Sequence, residues 1–529
     1  MIMEKDIKVI KLNNIEKKGK LILSIGVFDG IHKGHSSILE EMFNYALISD
    51  SNTGIITFED TYPKVFKNLS SFLLTKDEKR EMIGLKGIDY MFCLPFDSKL
   101  RNLSPKDFIE FLRKNMEFSC ILVGDNFKFG KGRTGDVSVL LELSKNYNFK
   151  VLVKPLHDID NTTVSSSMIR EALQKGDISF ANKMLGYKYF IRGKVIKGDN
   201  IGEKIGFPTV NVKPDPSKLI PKNGIYKGKA KIRDKIYHSA IYIGTRPTFN
   251  GEELRIEAYL FDFAGNIYNE IIELVLEEYI RPDIKFPSLE ELKKQITQDL
   301  LFIKYRIYEE EKEIKIITID GTAGSGKTTI AKSLARKFNF DYIDSGALYR
   351  SVGLLAMKFD IFDESKLAKI IKENQIKFLW DGEKFRVFYK EMELTDLIRT
   401  TEVGLVASKI GRFRGIREII TDWQRDFLKK VKRGLVIEGR DSGTIVFPNA
   451  NLKLFINANI DIRCERRAKD LNDTNKEKLL ESIRERDYLD INRDVAPLRL
   501  PQGGYFIDNS YTTIDEVLNI ITTLFMRSM

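Results

Sequence analysis

Residues 26–35 read GVFDGIHKGH, and they overlap the end of an apolar run, LILSIGVF (21–28), that is typical of a buried strand. A glycine-rich turn and the helical pattern HSSILEEMFNYALI come next. Strand-like runs recur at GIITF, YMFCLPF, CILVG and VLVKPL, with helical stretches between them. This alternation predicts a parallel sheet covered by helices, with two histidines, His32 and His35, at the start of the first helix.

The pattern changes twice further along the chain. From about Tyr189, short β-rich runs such as GIYKGKAKI alternate with turn signals, which predicts a small antiparallel barrel followed by a closing helix. At Ile314 a new buried strand, IKIITID, opens a second α/β module. We therefore predict an α/β multidomain chain with a Rossmann-like module at 1–186, the barrel at 187–308, a charged linker at 309–313 and the last module at 314–529.

Composition limits the classes of protein that fit. The 529 residues are 43% hydrophobic and 30% charged, which is ordinary for a globular protein, and no apolar run reaches the roughly 18 residues of a membrane helix. We expect no signal peptide and, because Cys93, Cys120 and Cys464 lie far apart, a cytoplasmic location. The net charge of +11 comes from scattered Lys and Arg, so we expect anionic small molecules as partners rather than a specific nucleic acid.

Residues 321–328, GTAGSGKT, fit the phosphate-binding pattern G-x-x-x-x-G-K-[ST] between a strand and the helix TIAKSLARKF. The glycines let main-chain N–H groups face phosphate, Lys327 can reach the β- and γ-phosphates, and Thr328 can ligate Mg²⁺. The predicted ATP-binding residues here are Gly321, Thr322, Ala323, Gly324, Ser325, Gly326, Thr328 and Thr329.

The rest of the last module suggests the acceptor. YIDSGALYR, SKIGRFRGIR, VIEGRDSGTIVFP and RERDYLDINRDVAPL are rich in Arg beside Asp and Ser, and a guanidinium can bind two phosphate oxygens. In this order, the segments resemble the bacterial cytidylate kinase family over residues 314–529. The resemblance has two mild departures, Ser345 for the commoner Thr and Ser442 for an apolar residue.

This resemblance implies a P-loop nucleoside monophosphate kinase acting on CMP and dCMP with ATP. Lys327 and Arg440 would be catalytic, and Arg463, Arg466 and Arg467 would lie on a mobile lid over ATP. A kinase for UMP or another monophosphate is the alternative. The implied CMP-binding residues are Ser345, Tyr349, Arg350, Ser408, Arg417, Asp441, Arg486 and Arg493.

The spacing H-x-G-H in residues 32–35 has three interpretations. It could be a polar turn at a helix start, a metal site that lacks further ligands nearby, or a nucleotidyl-transfer site. In the last case, imidazoles at a helix N-terminus hydrogen-bond phosphate oxygens as pyrophosphate leaves. Placement after the first strand favours nucleotidyl transfer. The later segment VSSSMIR (164–170) has no Lys, which favours small-molecule nucleotidylyltransferases over aminoacyl-tRNA synthetases.

Several long motifs extend this hypothesis. GVFDGIHKGH, GDNFKFGKGRTGD (124–136), VSSSMIR, GDNIGEKIGFPTVNV (198–212), PKNGIY, YIGTRPTF and IEAYLFDF resemble, in order, the bacterial bifunctional riboflavin kinase/FAD synthetase family over residues 1 to about 305. The resemblance implies that the first module adenylylates FMN to FAD with ATP. His32 and His35 would be catalytic there. The implied ATP-binding residues are Gly26, Phe28, Asp29, Gly34, Ser166, Ser167 and Arg170, and the implied flavin-binding residues are Asp125, Phe127 and Arg133.

The barrel would be the riboflavin kinase of that family. Glu257 would be the general base for the ribityl hydroxyl, Thr209 and Asn211 would meet Mg²⁺, and Gly206 and Pro208 would contact ATP. Core packing is the alternative role for Phe127. Tyr259 stands where the family usually has His, and FEDTYP (58–63) departs from F-x-P-H-P beside the adenylylation site, so FAD formation rests on fewer matching residues than FMN formation.

We interpret the chain as an enzyme with three ATP-dependent activities whose substrates are riboflavin, FMN, CMP, dCMP and ATP. The alternatives are a weakened FAD site and a nucleic-acid-binding regulator with vestigial nucleotide folds. We predict no membrane association. A homo-oligomer is left open.

Overall fold

The computed structural model describes residues 8–11, 20–58, 71–155, 158–159, 162–198, 201–248, 251–373, 376–471 and 475–529. The chain divides into two compact units. The larger unit contains residues 4–310 and 519–529, and the smaller unit contains residues 311–518. FEDTYP lies outside the described residues from position 59 onward, so its role stays a prediction.

The larger unit begins with a six-stranded parallel sheet in the order β1-β4-β3-β2-β5-β6. All five residues of the central strand β2 are buried, as expected for a parallel strand with helices on both faces. The chain leaves β2 toward β3 on one side and later enters β5 on the other, so the carboxyl end of β2 is a switch point where ligands commonly bind. The strands are β1 Lys8–Lys11, β2 Leu21–Ile25, β3 Asn52–Phe58, β4 Tyr90–Leu94, β5 Phe118–Gly124 and β6 Lys150–Lys154.

The helices of this module end where the sequence places its capping residues. Gly176 has φ +84° and ends one helix, and Ser165 accepts a hydrogen bond from Met168 N at the start of the same helix. A two-stranded ribbon, β7 Asp158–Ile159 and β8 Thr162–Thr163, precedes it. The helices are Lys33–Ser49, Lys76–Gly84, Ser98–Arg101, Pro105–Asn115, Val137–Asn146, Ser166–Lys175 and Ile178–Leu185, with a 3₁₀ turn at Lys131–Arg133.

The second part of the larger unit is a closed antiparallel barrel in the order β10-β13-β12-β11-β14-β9. Closure removes the unpaired strand edges that an open sheet of this size would expose. The strands are β9 Phe190–Ile196, β10 Thr209–Pro214, β11 Gly224–Ile232, β12 Lys235–Thr248, β13 Gly251–Leu260 and β14 Ile271–Arg281. Two helices accompany them, Ile201–Lys204 and Leu289–Glu311.

The smaller unit has a five-stranded parallel sheet in the order β16-β20-β15-β21-β22. A three-stranded antiparallel sheet is inserted after β16. The strands are β15 Lys315–Gly321, β16 Asp341–Asp344, the inserted β17 Ile376–Trp380, β18 Phe385–Tyr389 and β19 Met392–Glu393, then β20 Gly434–Glu438, β21 Leu452–Asn457 and β22 Tyr505–Asp508. The α-helices are Lys327–Phe338, Ser345–Phe359, Glu364–Glu373, Thr401–Ile410, Arg414–Phe427, Ile460–Leu471 and Lys476–Asn492. A last helix, Ile514–Ser528, begins in this unit, and its residues from 519 onward belong to the larger unit.

The predicted fold class is confirmed, including the parallel sheet, the barrel with its closing helix, and the strand–loop–helix unit at residue 321. The inserted sheet β17–β19 was not predicted. Its strands are short and each is paired mainly with a neighbour in the same hairpin, so the sequence carries little periodic signal for them. The proposed domain boundaries stay predictions. The helix Leu289–Glu311 extends into the segment expected to be a linker.

A buried ion pair joins the two parts of the larger unit. Lys218 Nζ donates to Glu78 Oε2 at 2.7 Å and to Leu73 O at 2.9 Å, and the Lys218 and Glu78 side chains are 1% and 3% exposed. We predict that Lys218→Met lowers the free energy of unfolding of this unit by about 3 kcal/mol, because Glu78 is left buried without its cation. Urea unfolding followed by circular dichroism measures this.

The matched control is Lys175→Met, which removes an exposed pair with Glu171 whose side chains are 71% and 63% exposed. Its expected cost is much smaller because solvent screens the pair. Equal costs for the two variants would contradict the prediction.

Candidate functional sites

The phosphate-binding loop follows β15 with the backbone geometry that its glycines permit. Gly324 has φ +74° and Gly326 has φ +89°, the latter immediately before the helix Lys327–Phe338. At Gly321 a Cβ atom would lie 1.9 Å from Ile456 O, so no larger residue fits between the strands. The loop therefore presents main-chain N–H groups at a helix N-terminus, which is an anion-binding arrangement.

Lys327 and Thr328 point into the same cavity from the first turn of that helix. Lys327 Nζ donates to Thr322 O at 2.5 Å, and burial together with the charge of Arg440 lowers its pKa. Thr328 Oγ1 donates to Glu438 Oε2 at 3.1 Å. Burial raises the pKa of Glu438, and the nearby charge of Asp344 raises it further.

The cavity has a volume of about 560 Å³ and is strongly cationic. Burial lowers the pKa of Arg486 to about 9, with Arg440 adding to the effect, and burial also lowers the pKa of Arg350. The charges of Arg440 and Arg486 thus repel each other, and a bound anion would relieve this repulsion. The predicted residues that line this cavity are Ala323, Gly324, Ser325, Gly326, Lys327, Thr328, Thr329, Ser345, Tyr349, Arg350, Ser408, Arg417, Arg440, Asp441, Arg466, Arg467, Arg486 and Arg493.

Two carboxylates hold the arginines of this cavity in position. Arg440 Nε donates to Asp490 Oδ2 at 2.8 Å, and Arg493 Nη1 lies 3.6 Å from Asp490 Oδ1. Arg417 forms a buried ion pair with Asp441, and its guanidinium lies 5.3 Å from the centre of the Tyr349 ring. The Arg417–Asp441 pair presents both donors and acceptors, which suits the polar edge of a base.

Three predicted residues of this module lie outside the cavity lining, namely Gly321, Thr322 and Arg463. Arg463 is buried, pairs with Asp487 and donates to Ala323 O at 3.1 Å. Asp487 in turn accepts a hydrogen bond from Ala323 N at 3.1 Å. Arg463 therefore supports the phosphate-binding loop from behind, a placement that the lid prediction did not anticipate.

The lining residues that sequence reasoning missed include the polar side chains of Asp344, Arg399, Glu438, Asp490 and Asn509. Glu438 and Asp344 are the last residues of the strands β20 and β16, and that position was a usable signal. Arg399 Nη2 lies 3.2 Å from Asp344 Oδ2. Asn509 Nδ2 donates to Ser325 O at 2.7 Å. No local sequence pattern predicts the contact of Arg399 with Asp344 or that of Asn509 with Ser325.

In the larger unit the histidine pair follows β2 at the switch point of the sheet. The His32 and His35 rings stack with centroids 3.8 Å apart, and both Nδ1 atoms are buried without a hydrogen-bond partner among the described residues. Burial lowers the pKa of His32 to about 4. Burial, followed by the charges of His32 and Lys79, lowers the pKa of His35. Both rings are neutral near pH 7, and the metal interpretation gains no support because the described residues contain no cluster of His, Cys, Asp and Glu that could hold an ion.

Other predicted residues fix the loop that carries these rings. Asp29 accepts a hydrogen bond from Leu73 N at 3.1 Å and forms a buried ion pair with Arg170. Ser166 Oγ donates to Asp29 O at 2.8 Å. Phe28 has φ +52°, an unusual conformation for a bulky residue, and its ring lies 5.2 Å from that of His35.

Several predicted residues near this loop differ in their surroundings. At Gly26 a Cβ atom would lie 3.2 Å from the Phe28 ring, and at Gly34 it would lie 3.3 Å from the His32 ring, so both positions need a small residue. Ser167 lies in the first turn of the helix Ser166–Lys175 and is exposed.

The segment 124–136 divides into a buried and an accessible part. Phe129 belongs to the hydrophobic core, and Phe127 is half-buried and stacks on it with ring centroids 5.4 Å apart. Asp125 and Arg133 are exposed, and Arg133 has φ +61°. Phe129 therefore has the core-packing role, whereas Phe127 packs against the core and keeps part of its ring exposed.

A second cavity, about 660 Å³ in volume, opens on the barrel. Asn211 lies opposite Glu257 in the β10–β13 pair, and Thr209 Oγ1 donates to Glu257 Oε2 at 3.0 Å. Pro208 and Tyr259 also line this cavity. The predicted residues Thr209, Asn211 and Glu257 are thus brought together on neighbouring strands.

The glycines before β10 allow close approaches of the backbone. At Gly198 a Cβ atom would lie 2.2 Å from Asn211 Nδ2, and at Gly202 it would lie 2.4 Å from Phe207 O. Gly206 has φ +89° and an open surrounding, but it does not line the cavity. Arg255 was missed by sequence reasoning. Its Nη1 lies 3.9 Å from Glu257 Oε1, and it sits two residues from Glu257 on the same face of β13.

Three family models match successive parts of the chain. The family models described as FAD synthetase, riboflavin kinase and cytidylate kinase match residues 14–168, 185–306 and 317–527, respectively. The described helices include none that is long and apolar enough to cross a membrane.

Curated relatives cover the first two modules. A bifunctional riboflavin kinase/FMN adenylyltransferase of Escherichia coli K12 is 33% identical over 284 residues, which is 53% of this chain and 90% of the relative. The enzyme of the same description from Buchnera aphidicola subsp. Acyrthosiphon pisum is 34% identical over 307 residues, 56% of this chain and 97% of the relative. The crystal structure of a macrolide-efflux protein from Streptococcus pneumoniae is similar in fold, with a TM-score of 0.51 and 27% identity over 56% of this chain and 99% of that chain.

The buried histidine pair generates a prediction about acid stability. Because the pKa of His32 is lowered from 6.5 to about 4, the folded protein binds fewer protons than the unfolded chain as pH falls from 6.5 toward 4. The contribution of His32 to stability is therefore complete above pH 6.5 and is lost on acidification. His32→Gln should reduce the loss of unfolding free energy between pH 7 and pH 5 by about 2 kcal/mol.

Urea unfolding followed by circular dichroism at both pH values measures this difference. His35 still titrates in the variant, so part of the acid sensitivity remains. An unchanged difference between the two pH values would show that the ring of His32 is solvated in the folded protein.

Proposed function

This chain belongs to the bifunctional riboflavin kinase/FMN adenylyltransferase family, and we propose that it catalyses three ATP-dependent reactions. The barrel phosphorylates riboflavin to FMN, and the parallel-sheet module of the larger unit adenylylates FMN to FAD. The smaller unit phosphorylates CMP and dCMP. The order of the three family matches along the chain supports this assignment.

In the barrel, Glu257 acts as the general base. The ribityl hydroxyl is a poor nucleophile, and a carboxylate within hydrogen-bond reach accepts its proton as the new P–O bond forms. The hydrogen bond from Thr209 orients Oε2 of this carboxylate, and Arg255 Nη1 lies 3.9 Å from its Oε1. Arg255 also lines the cavity, where its charge can face the transferred phosphate.

In the adenylyl-transfer site, the neutral histidines donate hydrogen bonds to the triphosphate of ATP. The helix that begins at Lys33 adds its N-terminal main-chain donors at the same place. Binding of the triphosphate favours the charged imidazole and raises the pKa of His32 and His35. The flavin lies against Phe127, with Asp125 and Arg133 at its polar edge.

In the smaller unit, Lys327 and the main chain of residues 321–328 hold the donor phosphates. Arg440 bridges the donor and acceptor phosphates, because it extends into the cavity from the carboxyl end of β20. The acceptor phosphate binds Arg350, Arg486 and Arg493, and the base faces Ser408, Arg417 and Asp441. Arg466 and Arg467 close over ATP.

The donor sets of both kinases fit Mg²⁺, which prefers oxygen ligands. In the barrel these are Thr209 and Asn211, and the Asn211 amide lies where a Cβ atom at position 198 would meet it. In the smaller unit they are Thr328 and Glu438. When bound, Mg²⁺ neutralises phosphate charge and orients the transferred group. We propose the cytoplasm as the place of these reactions, in line with the substrates.

One observation supports the proposal more strongly than the others. Thr209, Asn211 and Glu257 come from two separate sequence motifs and meet in register on neighbouring strands at a single cavity. Nucleic-acid binding by a vestigial fold would not require these three residues to meet at one cavity.

Two substitutions should separate the activities. Glu257→Gln keeps the size of the side chain and removes the base, so FMN formation should fall by about 100-fold or more while CMP phosphorylation is unchanged. Lys327→Ala should lower CMP phosphorylation by about 100-fold or more and leave FMN formation unchanged. Chromatography of products from riboflavin and CMP measures both rates. Loss of both activities in either variant would contradict independent sites.

The acceptor of the smaller unit is tested with CMP, dCMP, UMP and AMP in parallel. CMP and dCMP should give the highest kcat/KM, because the Arg417–Asp441 pair offers donors and acceptors suited to cytosine. Highest turnover with UMP would favour the alternative acceptor. FMN without FAD in the same incubation would show that the departure at FEDTYP weakens adenylyl transfer.

A further inference from the structure

The larger unit contains two buried carboxylates that take no part in the proposed reactions. Glu81 lies on the helix Lys76–Gly84 and Glu273 lies on β14, and their side chains are 4% and 6% exposed. Arg192 Nη2 reaches both, at 2.7 Å from Glu81 and 3.0 Å from Glu273. These three residues and the Phe190 ring form what we call the C-terminal socket.

The occupant of the C-terminal socket is Arg527, the third residue from the end of the chain. Arg527 is 0% exposed, and its guanidinium donates two hydrogen bonds of 2.7 Å to the two carboxylate oxygens of Glu273. Its Nη2 also lies 3.0 Å from Glu81 Oε1, and the guanidinium covers the Phe190 ring at 3.8 Å. Planar pairing and ring stacking together use properties that Arg has and Lys lacks.

The main chain of the same segment is anchored as well. Lys188 N donates to Arg527 O at 2.7 Å, just before β9 begins. Phe525 and Met526, the two residues that precede Arg527, are also buried. The contact therefore involves the main chain and neighbouring side chains of this segment as well as the Arg527 side chain.

Charge balance explains why this segment matters. Two buried carboxylates face two guanidinium groups, those of Arg192 and Arg527, with Lys231 nearby. Burial alone would raise the pKa of Glu273, but the charges of Arg527 and Arg192 lower it to about 2. Without Arg527, one negative charge in the socket would lose its partner, and an unpaired buried charge is strongly unfavourable.

Arg527 comes from a distant part of the sequence. It lies outside the riboflavin kinase match at 185–306 and the FAD synthetase match at 14–168, and at the last position of the cytidylate kinase match. Residues 519–529 nevertheless belong to the larger unit. We infer that the last eleven residues of the chain are a structural part of the flavin-forming unit, held in the C-terminal socket by Arg527.

This inference has a consequence for how the chain matures. Domains generally fold as they are synthesised, from the N-terminus onward. Here Glu81 and Glu273 share the single guanidinium of Arg192 until Arg527 has been synthesised. The flavin-forming unit therefore reaches its full stability only after residues 519–529 have joined it.

The test uses full-length Arg527→Met, which keeps an unbranched aliphatic side chain over Phe190 and removes the charge. Each unit has its own readout. The two tryptophans, Trp380 and Trp423, both belong to the smaller unit, so their fluorescence reports its unfolding, whereas residual FMN formation after heating reports the larger unit. We expect the temperature of half-inactivation of FMN formation to fall by about 5 °C or more, and the tryptophan transition to shift by less.

Two controls isolate the socket. Arg414→Met removes an exposed guanidinium, 80% accessible and paired with Glu418, and should leave both transitions unchanged. The double variant Glu273→Gln with Arg527→Met removes the unpaired charge and should regain at least half of the lost thermal stability. Arg527→Lys should lie between the wild type and Arg527→Met.

The outcomes divide clearly. Loss of FMN formation before heating with CMP phosphorylation retained would also support the inference, as an extreme case of it. A half-inactivation temperature for FMN formation within about 1 °C of the wild type would overturn it. So would a tryptophan transition that falls as far as the inactivation temperature, since the damage would then not be specific to the flavin-forming unit.

Discussion

The structure depends on one constraint: binding sites for phosphate need buried cations, and a buried cation is costly until an anion accompanies it. Before ATP binds, carboxylates supply that anion. Asp29 pairs with Arg170 beside the histidine loop, Asp490 holds Arg440, and Asp441 holds Arg417. These pairs keep each site folded and oriented without substrate. They also leave part of the cationic charge uncompensated, as the lowered pKa of Arg486 shows, and phosphate can complete the balance.

The two phosphate-binding loops satisfy the same constraint through the main chain. Each follows a central strand of a parallel sheet and precedes a helix, where N–H groups lack partners inside the helix. Glycine is needed at Gly321, because any Cβ would meet Ile456 O, whereas the histidine loop uses positive φ angles at Phe28 and Ile31. The two loops therefore meet the same electrostatic requirement with different local conformations.

The sites are separate, but the stability of the flavin-forming unit is not a property of the first half of the sequence alone. The cavity of the barrel and the cavity of the kinase are each lined within one unit. The C-terminal socket, in contrast, receives Arg527 from 254 positions beyond Glu273. The two enzymes can thus turn over independently while the chain is made and maintained as one molecule.

The sequence by itself determined the parallel sheets, the barrel, the phosphate-binding loop and the histidine loop. Hydrophobic periodicity predicts the sheets and the barrel, and short motifs that shape the neighbouring backbone predict the two loops. Tertiary structure alone decided that Asp490 would hold Arg440, that Arg463 would turn behind the loop, and that Arg527 would enter the flavin-forming unit. Asp490 and Arg440 lie 50 positions apart, and Arg170 and Asp29 lie 141 positions apart. Ion pairing over such separations depends on which surfaces the fold brings together, and hydrophobic periodicity along the chain does not predict these pairs.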